Sequence, residues 1–160
     1  MRLMSPIVGL LMTFIACGRG IGPIPKEVPE IGVIRGTVRF LGVWPDSTAE
    51  VRVAVYEEYP PSDFYEIRAF SDPLPIGADS ARYEIRISPG IYMWIMVAWR
   101  AEGRFWGPES FLGMYHDPED PSRPGTVTVD PGEEVRGIDI LADFSRRGEL
   151  PSEVAEALGQ

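Results

Sequence analysis

The sequence predicts an all-β fold: an antiparallel two-sheet β-sandwich of about seven strands, followed by a short C-terminal helix or a frayed tail. Three observations carry this. From Ile31 onward, apolar and polar residues alternate over short runs, the period of a strand with one face in a core and the other in water. The runs are separated by turn-forming clusters, Gly42-Val43-Trp44-Pro45-Asp46, Tyr59-Pro60-Pro61, Ser71-Asp72-Pro73, Ser88-Pro89-Gly90 and Asp130-Pro131-Gly132. Proline cannot donate to a ladder, so these positions fall between strands or at edges. Finally, Ile91-Tyr92-Met93-Trp94-Ile95-Met96-Val97-Ala98-Trp99 is apolar on both faces. Its β-branched and aromatic content, and the Pro89-Gly90 before it, favour one doubly covered central strand over a buried helix.

The elements follow in chain order. Residues 1–16 combine a cationic start at Arg2, an apolar run and the small residue Ala16 just before Cys17, the three parts of a signal peptide. The run is shorter than the ~20 apolar residues of a membrane-spanning helix. Residues 17–30 hold Gly, Pro, one Lys and two Glu without periodicity, which reads as a tether. Residues 31–144 form the sandwich. Its first strand places Ile34, Gly36, Val38 and Phe40 on one face, against Arg35, Thr37 and Arg39. Val51, Val53 and Val55 repeat the pattern against Arg52 and Ala54, and Tyr83, Ile85 and Ile87 against Arg82, Glu84 and Arg86. Weaker strands are expected over 65–70 and 110–115. Val127 and Val129 alternate with threonines, and Ile138 and Ile140 flank Asp139. In the tail, residues 145–160, Val154 and Leu158 share one face of a two-turn helix.

The leader resembles a bacterial lipoprotein signal, with Phe14 where leucine is usual three positions before the cysteine. That resemblance implies cleavage after Ala16, acylation of Cys17 and a membrane partner reached through lipid. The protein would then face the periplasm or the cell surface. In a Gram-negative cell Gly18, which is not aspartate, leaves the outer-membrane route open. One acyl chain anchors only marginally, at about 0.8 kcal/mol per buried CH₂, so the two or three chains of that family would be needed for a stable tether.

A second resemblance covers about residues 32–144. Ile34-x-Gly36-x-Val38, Ser88-Pro89-Gly90-x-Tyr92, Val127-x-Val129-x-Pro131-Gly132-Glu133 and Gly137-Ile138-Asp139-Ile140 are similar to the carboxypeptidase regulatory-like domains of the prealbumin-like (transthyretin-like) sandwiches. The resemblance implies a non-catalytic module. Such motifs specify a fold better than an activity.

Composition narrows the function further. The net charge of −9 argues against nucleic acid and anionic lipid, which need basic surface. Cys17 is the only cysteine, so no disulfide holds the domain. With no Asn, and Lys26 as the only lysine, a Lys–Asn cross-link is excluded. His116 is the only histidine, no second ligand completes a transition-metal site around it, and there is no Gly-x-Ser-x-Gly elbow or phosphate loop. No catalytic residue and no cofactor are expected. Two binding sites remain as expectations. Asp117, Glu119 and Asp120, with Asp130, offer the hard oxygen ligands that calcium takes. Trp94, Trp99, Trp106 and Tyr115 offer rings that could stack on a sugar or a peptide. The expected function is a structural or partner-binding envelope lipoprotein, its partner another envelope protein or a glycan. The alternative is a carbohydrate- or peptide-binding module, which should expose at least two roughly coplanar rings.

Overall fold

A computed structural model describes residues 30–160. The expected leader, Cys17 and the tether up to residue 29 lie outside the described residues. The rest is all-β, with strands β1 (Gly32–Leu41), β2 (Thr48–Tyr56), β3 (Ala69–Phe70), β4 (Ser80–Ile87), β5 (Gly90–Tyr92), β6 (Trp94–Ala101), β7 (Phe111–Met114), β8 (Val127–Val129), β9 (Glu134–Val135) and β10 (Ile140–Asp143), then helix α1 (Ser152–Ala157). Strands β3, β5, β8 and β9 have only two or three residues. The excess over about seven comes from β9, too short for a readable alternation, and from β5, which the sequence joins to β6.

The first sheet has the order β10-β1-β4, with β9 also on β1; the second has the order β3-β2-β6-β7; β5 and β8 form a separate ribbon. The expectation of a wholly antiparallel sandwich needs correcting, because β9 and β10 both run parallel to β1. Alternation reports which face a residue occupies, and it is silent on the direction of the neighbouring strand.

The two larger sheets enclose an inner core. Ile34 and Val38 of β1, Val51, Val53 and Val55 of β2, and Tyr83, Ile85 and Ile87 of β4 all point into it, as their spacing predicts. Arg82, Glu84 and Arg86 are exposed on the other face of β4. The expected single strand over 91–99 is divided. Tyr92 ends the ribbon with β8, Met93 is exposed, and Trp94 begins a strand of the second sheet. A run apolar on both sides marks cover, and it does not mark continuity: the chain changes sheets in the middle of it.

The doubly covered part is β6. Ile95 and Val97 enter the inner core, whereas Trp94, Met96 and Ala98 enter an outer core on the far face of the second sheet. Ala54, expected on a wet face, is fully buried there beside Tyr56. Phe64 covers this face from the loop after β2, and Val154 covers it from α1. A six-residue helix is marginal alone; burial of Val154, with Leu150 and Leu158 packed alongside, is what holds it. The tail is therefore part of the packed domain.

The facing of the sheets predicts a contrast. Ile95→Ala or Val97→Ala should each remove about 2–5 kcal/mol, because lost transfer energy and a residual cavity add. Arg86→Ala and Thr128→Ala, both at exposed positions, should stay within about 0.5 kcal/mol. Urea midpoints of the four variants test this, and equal losses would mean that the facing is wrong.

Candidate functional site

The four aromatic residues expected to line a ligand surface do not share one. Trp94 is fully buried in the outer core against Tyr56, with ring centroids 4.7 Å apart, so it meets no ligand. Trp99 and Tyr115 pack against the inner core, and Trp106 packs against the outer one. The reason lies in the pleat: Trp94 and Trp99 are an odd number of residues apart on one strand and must point to opposite faces.

The acidic residues of the expected calcium loop lie in short turns. The Asp117 carboxylate accepts the Glu119 N–H at 2.8 Å. The Asp120 carboxylate accepts the Ser122 hydroxyl at 2.5 Å and pairs with Arg123 at 3.2 Å. The Ser122 hydrogen bonds, from side chain and backbone, hold the Asp120 carboxyl below its usual range. The Asp117 and Asp120 carboxylates thus close their own turns. Among the described residues no group of three or more His, Cys, Asp or Glu side chains is placed to hold a metal ion.

What the fold does assemble is one end of the sandwich. Register fixes which loops meet there. Leu41 pairs with Asp143, Arg39 with Ser80, and Thr48 with Ala101. The loops 42–47, 71–79 and 102–107 and the turn after β10 therefore share that end. The chain enters β1 at Gly32, opposite Ile87, at the other end. Ten residues of strand separate the two ends by about 30 Å at ~3.3 Å per residue.

The three loops are tied to one another. Trp44 Nε1–H donates to the Ala78 carbonyl at 3.1 Å, and Glu102 N–H donates to the Ser47 carbonyl at 2.8 Å. Trp44 turns inward, packing tilted between Phe40 and Phe144 with centroids at 4.6 and 4.5 Å. Its neighbour Val43 is left outside, 88% exposed. On the next loops Ile76 is 55% exposed and Phe105 is 90% exposed. Each loop thus offers a large apolar side chain to solvent at the same end.

Beside Phe105 lies an open pocket of about 500 Å³, lined by Ser47, Trp99, Arg104, Glu109 and Arg147 among others. Its floor is rigid. The Thr48 hydroxyl donates to the Pro45 carbonyl at 2.6 Å and accepts Trp99 Nε1–H at 2.9 Å. The indole so fixed carries the Arg147 guanidinium over its ring, 4.7 Å from the centroid. Arg100 sits over Trp106 at 5.3 Å, an arrangement that favours the cation while orienting its fork. Arg100 is further held by Glu50 at 3.0 Å, and Arg52 pairs with the same carboxylate. Burial pushes the Glu50 carboxyl up, but the hydrogen bonds and charges of Arg52 and Arg100 outweigh it and hold the group below its ordinary range.

One face of Trp99 and one face of Trp106 are accordingly occupied by guanidinium groups, whereas the Phe105 ring is 90% exposed. Sequence reasoning found the aromatic group that holds Trp99, Phe105 and Trp106 but missed Val43, Ile76 and the arginines, because the loops carrying them are brought together only by strand register. No protein-family model, curated protein or solved structure matches this chain.

Proposed function

We propose that the protein is a non-enzymatic cell-envelope lipoprotein. In this reading a sandwich of the carboxypeptidase regulatory-like kind is tethered through lipid on Cys17 and binds a partner through its three-loop end. The observation that carries the partner-binding role is the placement of Val43, Ile76 and Phe105 on adjoining loops at one end. Large apolar side chains that protrude together mark an interaction surface, where isolated ones would need no explanation. Tryptophan and arginine, which line the pocket beside them, are also enriched among the residues that dominate protein interfaces. The tether enters at the opposite end, so a lipid-held sandwich would present these loops away from its attachment point. A carbohydrate platform is less well supported, since it needs bare, roughly coplanar rings and the two indole faces here carry guanidiniums.

Two measurements test the proposal. Mass spectrometry of the chain produced in a bacterium with lipoprotein processing should find an acylated Cys17 as the mature N-terminus. An unmodified thiol at that position, in a chain still beginning at Met1, would sink the lipoprotein reading. A photo-crosslinking residue at position 105 should capture a protein in the envelope, whereas one at position 86 on the outer face of the first sheet should not. Equal capture at both positions, or at neither, would remove the loop end as the binding surface.

A further inference from the structure

The loop end has three properties that bear on what binds it. First, a knob stands on the wall of a hole: Phe105 projects into solvent from the pocket that it lines together with Trp99 and Arg147. A residue that protrudes next to a cavity it does not fill is the arrangement an isologous contact uses, where the knob of each copy enters the hole of the other. Second, the pocket carries both signs of charge without internal pairing. Arg104, Arg147, Glu102 and Glu109 all line it, and none of the four makes an ion pair within 4.0 Å among the described residues. A partner of a single sign would satisfy two of these groups and leave the other two facing like charge. A surface of the same composition holds an acid for each arginine and an arginine for each acid. Third, the pocket is organised before anything binds, since the Thr48–Trp99 hydrogen bond fixes the indole on which Arg147 rests. Those two side chains then lose little freedom on association.

We propose that the loop end is the contact surface for a second copy of this chain. The two copies are related by a two-fold axis, with Phe105 of each seated in the pocket of the other. Arg104 and Arg147 face Glu102 and Glu109 across the contact, and Val43 and Ile76 extend its apolar area. The overall charge of −9 on each copy opposes approach at long range. At physiological ionic strength, however, exposed charges farther apart than about 8 Å are largely screened, which leaves the short-range complementarity in control. The Gly32 ends of the two sandwiches then lie at the far ends of the pair, so a tethered pair would lie along the membrane with one anchor at each end. The inference rests on the loop end being a binding surface, as proposed above, and names its occupant.

Charge complementarity between identical surfaces allows a test that a different partner would not pass. Two full-length copies with different tags are co-expressed and extracted in mild detergent, and one tag is used to recover the other. Four samples decide the matter: the natural chain, Phe105→Ala, a variant carrying Arg104→Glu with Arg147→Glu, and a variant carrying Glu102→Arg with Glu109→Arg. The natural pair should co-purify. Phe105→Ala, at a position already exposed and so neutral to folding, should lower recovery at least tenfold. Each charge variant should fail with itself, because four like charges then meet four, and the two variants should recover each other to near the natural level. This is specificity by introduced repulsion, relieved only by the complementary surface. Failure of the natural copies to co-purify overturns the proposal. So does self-association of either charge variant at the natural level, or failure of the mixed pair. If the natural copies stay apart while position 105 still cross-links to another envelope protein, the partner-binding surface stands and only the second copy is excluded as its occupant.

Discussion

Gly36→Ala should cost at least about 3 kcal/mol, an unusually large effect for a single added methyl group. Gly36 lies in the middle of β1, the strand that joins every other member of the first sheet. The segment between β9 and β10 passes directly over it. A methyl group at this position would sit 1.8 Å from the Ile138 carbonyl oxygen and 2.5 Å from its carbon. Both obstructing atoms are backbone, so no rotamer change relieves the overlap. That backbone is also held from several sides. Ile138 N–H donates to the Arg35 carbonyl at 3.2 Å, the Tyr83 hydroxyl donates to the Ile138 carbonyl at 2.6 Å, and Thr37 N–H donates to the Asp139 carboxylate at 2.8 Å. Overpacking alone costs about 1–3 kcal/mol, and each hydrogen bond disrupted adds about 0.5–1.5. Against a total of about 5–15 kcal/mol for a domain of this size, the variant should show a much lower urea midpoint at an unchanged slope. Gly77→Ala is the matched control. Gly77 has a φ of +81° and nothing within 4 Å of an added methyl, so it should lose only the ~1–2 kcal/mol of a left-handed residue. A Gly36→Ala chain as stable as the Gly77→Ala chain would mean that 136–139 does not lie across β1.

Trp94→Ala should cost about 3–5 kcal/mol, the range for emptying a buried aromatic site. Trp94 is the largest fully buried side chain of the domain. Its ring lies 4.7 Å from Tyr56, 6.2 Å from Tyr59 and 6.2 Å from Phe111, so it joins β2, the following loop and β7 in one cluster. Its removal would also withdraw support from Val154 and hence from α1, whose docking depends on the same core. The indole Nε1–H is buried and finds no acceptor among the described residues. A buried donor without a partner carries a desolvation penalty of about 1–3 kcal/mol. Trp94→Phe discards that penalty while keeping most of the ring contacts, and it should therefore fall within about 1 kcal/mol of the natural chain. Urea unfolding of the two variants separates the contributions. If phenylalanine costs as much as alanine, the cluster depends on the indole itself, and the packing account given for this face is wrong.

The same two positions show how far the sequence reaches. Gly36 was readable as a place of close approach, but the chain that approaches it, at Ile138 a hundred residues later, was not. Trp94 was readable as a ring on a strand covered from both sides, but not what covered it. The cover comes from Phe64 in an irregular loop and from Val154 in a helix too short to persist by itself, neither of which has a strong local signature. The acidic loop shows the same limit. Asp117 and Asp120 are compatible by type with a calcium ion, but short side chains in turns bond first to the N–H groups two residues on, as both do here.

What the sequence determined is everything local to a strand. Side-chain period decides facing, so the residues of β1, β2 and β4 that enter the inner core, and the turns between them, follow from order along the chain alone. The tertiary structure decided the relations between strands: the parallel docking of β9 and β10, the change of sheet at Met93, the second core, and the meeting of three loops at the end that carries Val43, Ile76 and Phe105. Those relations depend on contacts between residues far apart in the chain, where the free energy gained on packing has to exceed the entropy of closing the intervening loops. A period of two along a strand contains no information about which of its distant neighbours will win.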